Sequence, residues 1–182
     1  MTGLVNTVPS CRTARRGTRP GFSLIELVIV VVIIGIIAAI AIPRMSRGSQ
    51  GAADSALAGN LSVLRNAIDL YQTEHQTYPA EGSTDPTVFD RHLTKYTDAT
   101  GASNTPPTKD STHPYGPYLR KIPPLPVGSK KGLSSVKIAA ETDQPGAAGS
   151  TEAWIYYPKT GEIKPNLPAT EKDSRDLPYN EY

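Results

Sequence analysis

The run Arg19-Pro20-Gly21-Phe22-Ser23-Leu24-Ile25-Glu26-Leu27 holds the residues whose types and spacing point most clearly to chemistry. Gly21 puts an unhindered peptide bond between a basic segment and an apolar one, open to a peptidase working at a membrane face. An ordinary secretory signal has its apolar core before the cleavage site. Here the apolar core follows it. Cutting after Gly21 would discard the charges, keep the apolar helix and expose a new α-amino group on Phe22. Glu26 lies about one helical turn beyond Phe22. A carboxylate inside a membrane helix costs roughly 2.5 kcal/mol or more and typically marks function. The natural counter-charge is the α-ammonium of Phe22, from the same chain or from a neighbour.

A second group of candidates lies near the C-terminus. Glu171, Asp173, Ser174, Asp176 and the backbone near Leu177 form an oxygen-rich loop, and calcium takes six to eight such ligands. The competing reading is a solvated acidic tail balanced by Lys172 and Arg175. His75, His92 and His113 are too scattered for a zinc spacing and read as surface residues. Serine, histidine and aspartate are all present, but no nucleophile motif accompanies them, so no catalytic triad follows. Trp154, Tyr156 and Tyr157 could stack on bases. Strand alternation puts Trp154 and Tyr156 on one face, where packing against a helix is the better account.

These residues need elements to hold them. From Leu24 to Ile42 the chain is almost wholly aliphatic, broken by Glu26 and Gly35. With Phe22 and Ser23 it makes about 30 Å of helix, enough to cross a bilayer core. The arginines before it should stay cytoplasmic, leaving the rest of the chain on the far side. Pro43 removes a backbone donor and predicts a kink. Beyond it, Ala53, Leu57, Leu61, Leu64, Ile68 and Tyr71 recur at spacings of four and three, one stripe of a helix reaching about His75. Gly48, Gly51 and Gly59 weaken the first amphipathic turns. A turn-rich stretch follows, with a short helix predicted over 88–96. Strands are predicted over 135–140 and 153–157, and Glu162-Ile163-Lys164 returns as a paired strand after Pro158-Lys159-Thr160-Gly161. The tail after Pro165 reads as polar and irregular. The fold class is α+β, a long N-terminal helix, membrane-spanning in its first half, packed on a small antiparallel β-sheet. The predicted divisions are a cleaved leader over 1–21, a transmembrane and assembly segment over 22–43, an amphipathic half-helix over 44–78 and an extracytoplasmic region over 79–182.

Composition sets the outer limits. The chain has 182 residues and a net charge of +2, so no global basic field suggests nucleic acid as a partner. Arg12, Arg15, Arg16 and Arg19 all fall within the first 21 residues, where there is no acid. Without them the balance changes to −2. Cys11 is the single cysteine, so no intramolecular disulfide forms. Asn6-Thr7-Val8-Pro9-Ser10 before it is not the apolar stretch that a lipidated cysteine needs.

Gly21, Phe22, Ser23, Leu24, Ile25 and Glu26, followed by the long aliphatic run, resemble the signature of type IV pilins and type II secretion pseudopilins. Pro43 falls where many members of that family have a proline. The resemblance implies cleavage after Gly21 by a prepilin peptidase, N-methylation of Phe22, and helical homo-oligomerisation through Phe22, Glu26 and Pro43. Within the family, Tyr71 to Pro79 and Gly116-Pro117-Tyr118-Leu119-Arg120-Lys121-Ile122-Pro123 look like the major pseudopilin, protein G. Where that group continues Asp-Pro-Trp-Gly, this chain has Leu125-Pro126-Val127-Gly128. Protein G-like pseudopilins carry a calcium in a C-terminal loop, which strengthens the calcium reading of Glu171, Asp173, Ser174 and Asp176. The implied role is a structural subunit, not an enzyme, in the bacterial inner membrane with its C-terminal region in the periplasm. Its partners would be the bilayer, minor pseudopilins, an inner-membrane assembly platform and the peptidase. A type IV pilin for adhesion, motility or DNA uptake is the alternative, and a single-span anchored binding protein a third.

Overall fold

The computed structural model describes residues 21–103 and 108–182; for 42–47 it describes the backbone alone. Helix α1 (Leu24–His75) is followed by α2 (Pro86–Thr94), strands β1 (Val136–Ile138), β2 (Trp154–Tyr157) and β3 (Glu162–Pro165), and a 3-10 turn over Tyr179–Glu181. The chain divides into two compact units, one ending at Ile42 and one running from Pro43 to Tyr182.

Within the second unit the helix stripe read from the sequence is the core stripe. Leu57, Leu61, Leu64, Ile68 and Tyr71 are all buried, while Arg65, Asn66 and Asp69 are exposed. Helical structure continues through Gly48, Gly51 and Gly59, and through Pro43. The side chain of Pro43, and with it any kink that the ring imposes, lies outside the described residues. Helix α2 starts two residues before the predicted start, because Asp85 caps it. The Asp85 carboxylate accepts the Thr87 N–H at 2.9 Å, and Pro86 sits where its missing N–H costs nothing.

The sheet has the order β1-β2-β3. Strands β2 and β3 form the expected antiparallel hairpin, with Trp154 opposite Pro165 and Tyr157 opposite Glu162. Its turn needs Gly161, which has φ of 73°. A Cβ there would also lie 2.3 Å from the Tyr78 ring. Strand β1 differs from the antiparallel expectation and pairs with β2 in parallel, Val136 opposite Trp154. The Gly/Pro-rich connection over 139–153 is long enough to bring the chain back to the same end, which a parallel pair requires. The sheet is therefore mixed, and the α+β class stands.

Trp154 and Tyr156 are fully buried in the core cluster with the α1 stripe. The Trp154 indole N–H donates to the Pro123 carbonyl at 3.0 Å. Phe89 of α2 packs on Tyr156 with ring centroids 4.3 Å apart. These contacts account for the aromatic cluster as core. Ile155 is buried as well, so the other side of β2 is also covered.

Candidate functional site

The N-terminal candidates are built on the first turns of α1. The Ser23 carbonyl accepts the Leu27 N–H at 3.1 Å and starts the helical ladder. Glu26 lies in the first turn, where a negative charge faces the positive end of the helix dipole. From Leu24 to Ala41 the mean hydropathy is 3.2 and none of the segment is buried within the chain. Phe22 is 83% exposed and Leu24 81%. No aliphatic side chain of this span is spent on the core, so all of them are free to meet lipid or other helices. The helix is long and apolar enough to cross a membrane.

Gly21 is informative because the fold does not need it. A Cβ placed there meets nothing within 4 Å, and its φ is not in the left-handed region. Among the described residues neither backbone conformation nor packing asks for glycine at this position, which leaves room for a reason outside the folded chain. A processing enzyme that needs a bare residue before the scissile bond supplies such a reason. The arginine-rich segment and Cys11 lie outside the described residues.

Of the C-terminal candidates, Asp173, Ser174 and Asp176 line one cavity with Gln50, while Glu171 lies apart from them. Glu171 turns both oxygens to Ser129, accepting its N–H at 2.8 Å and its hydroxyl at 2.7 Å. Asp173 is buried and accepts the N–H groups of Arg175 and Leu177 at 2.8 and 2.9 Å. Ser174 donates its N–H to Asp54 at 3.0 Å. Asp176 is exposed and pairs with Lys172 at 3.1 Å. Among the described residues no three His, Cys, Asp or Glu side chains gather as a metal-binding group. In this arrangement the ligand set does not fit calcium, because internal donors already hold the oxygens of Glu171 and Asp173 and Lys172 holds one of Asp176. The Tyr182 hydroxyl, the Leu177 N–H and Arg175 hold the Asp173 carboxyl well below the usual carboxylate range.

The histidines require a correction. His75 is not a surface residue; it is 7% exposed. It falls one turn past Tyr71, still on the buried stripe, and its ring stacks on Tyr71 at 4.0 Å. Its Nε2 lies 3.2 Å from the Thr97 hydroxyl. His92 stacks on the same tyrosine at 5.0 Å, and its Nδ1 accepts the Ala80 N–H at 3.1 Å. Burial first, then the charges of Arg91 and His75, lower the His92 pKa to about 4. Burial also lowers that of His75. His113 forms a 3.0 Å pair with Asp110.

Sequence reasoning missed the clasp that fixes the tail. Asp54 is buried in α1 and accepts the Tyr179 hydroxyl at 2.8 Å as well as the Ser174 N–H. Arg65 reaches the backbone oxygen of Tyr182. A signal was present: Asp54 sits beside Ala53, one turn before Leu57, so a carboxylate on the core-facing side of the helix calls for a partner.

Residues 18–42 match the family model described as the prokaryotic N-terminal methylation motif. No curated protein matches the chain, and no solved structure does. The match covers the Gly21–Phe22 junction, Glu26 and the aliphatic span together. The N-terminal segment is thus a prepilin-type N-terminal methylation motif, the segment that type IV pilin-like subunits carry.

Proposed function

We infer that the chain is a structural subunit of a type II secretion pseudopilus, cut after Gly21, methylated on Phe22 and assembled through α1 into a periplasmic filament. The observation that carries this reading is an exposed aliphatic helix beginning directly after a Gly21–Phe22 junction that the fold itself does not require. The bilayer would store the cut subunits with α1 in lipid. Assembly would then replace lipid around the aliphatic face with neighbouring helices, and every buried polar group would have to be paired in that exchange. Glu26 is the polar group concerned, and the α-ammonium of an incoming subunit's Phe22 matches it.

Two features support a pseudopilus over a pilus. The segment from Gly116 to Pro123 resembles the one that protein G pseudopilins carry, and in the fold it packs against both the end of α1 and α2. The Tyr118 hydroxyl donates to Glu74 at 2.5 Å, and the N–H groups of Tyr118 and Leu119 both donate to the Leu93 carbonyl at 2.9 Å. After removal of residues 1–21 the chain also has no cysteine, so it cannot close a C-terminal loop with a disulfide. Deleting the gene in its own host separates the alternatives. A pseudopilin mutant retains folded exoproteins in the periplasm and keeps its surface pili. Loss of pili with secretion intact would make the chain a type IV pilin.

A further inference from the structure

The tail over residues 171–182 is organised around one buried carboxylate, Asp173. Its Oδ1 accepts the backbone N–H groups of Arg175 and Leu177. Its Oδ2 accepts Nε of Arg175 at 2.8 Å, Nη2 of the same guanidinium at 2.8 Å and the Tyr182 hydroxyl at 2.6 Å. Nη2 also donates to the Tyr182 oxygen at 2.8 Å, so the three side chains form a closed triangle. An ionised carboxylate offers about four lone-pair sites. Five donors fill them and leave none facing outward.

We propose that Arg175 is the resident cation of this loop, and that the C-terminal clasp of this chain holds without a metal ion. A guanidinium satisfies the electrostatic demand of Asp173 and supplies directed N–H donors. Arg175 is two residues from its partner, so closing the contact orders very little extra chain. An ion from solution would have to displace that tethered group and three further donors. Of the other carboxylates in reach, Glu171 has both oxygens on Ser129 and Asp176 is paired with Lys172. The tail then stays seated on α1 whatever the calcium level outside the cell. The proposal is independent of the choice between pseudopilus and pilus.

Thermal unfolding of the full chain in detergent tests it, read by the fluorescence of Trp154, the single tryptophan. The wild type should melt at the same temperature, within about 1 °C, in millimolar calcium chloride and in EGTA. A ligand that binds only the folded state would raise it by several degrees. Arg175→Ala should lower the melting temperature by roughly 3–8 °C, and Arg175→Lys should recover part of that loss. A calcium-dependent rise in the wild type would overturn the proposal, as would an Arg175→Ala chain as stable as wild type. If Arg175→Ala does not fold, the calcium comparison on the wild type decides alone.

Discussion

Glu26 and Asp54 are both carboxylates of α1, and they are settled in opposite ways. Asp54 has its donors within the chain, Tyr179 and Ser174. Among the described residues none partners Glu26, and under the proposed function its match is the cut N-terminus of its own or of another subunit. A buried ion pair adds little net stability, yet a subunit docked at the wrong height would leave one charge unpaired at roughly 3–5 kcal/mol. Glu26→Val should therefore still be cut and still enter the membrane, but should fail to form filaments by electron microscopy and shear fractionation. Normal assembly of that variant would remove the register role. His92 gives a second prediction at this scale. Its pKa in the folded chain is about 4, against about 6.5 when unfolded. Between those values the unfolded state binds more protons, so stability is fully present above pH 6.5 and falls as pH drops toward 4. His75 acts in the same direction. The melting temperature should decline steadily from pH 7 to 5. His92→Gln, whose amide oxygen can still accept the Ala80 N–H, should flatten that slope, and an unchanged slope would show that His92 is not the group responsible.

Among the elements, α1 and the tail that docks on it carry most of the organisation of the second unit. Replacing Asp54 with alanine leaves a buried hydroxyl and a backbone N–H without acceptors. The expected loss is about 2–4 kcal/mol, with early proteolysis of the tail over 171–182; an unaltered digestion pattern would mean that Asp54 does not hold the tail. The sequence made α1 legible because a 3.6-residue repeat over Leu57 to Tyr71 admits one buried face. Extended by one more turn, the same repeat would have placed His75 in the core. The β2–β3 hairpin was legible from its Pro-Lys-Thr-Gly turn. The parallel pairing of β1 was not, because a three-residue strand carries no register signal and its direction is set by the connection over 139–153. The tail clasp was hidden for a related reason. Asp173, Arg175 and Tyr182 read as a solvated polar stretch until Asp54, far away in sequence, brings Ser174 and Tyr179 to the helix. For the N-terminal candidates the residue types themselves carried the signal, since Gly21 and Glu26 are both unexplained by the chain's own packing.

At the level of the whole molecule, the chain has an apolar, exposed segment and a second unit whose core is complete without it. Leu24 to Ala41 buries nothing, while Trp154, Tyr156, Ile163 and the α1 stripe close a core of their own. Under the proposed function, the second unit would fold on its own core, association would be left to the apolar helix, and processing at Gly21 would be the step that commits that helix to association. The mass of the intact protein recovered from the membranes of its own host tests this most directly. The mature chain should begin at Phe22 and carry one added methyl group, and Gly21→Leu should accumulate at the full precursor mass. A mature protein that still contains Arg19 would contradict the account.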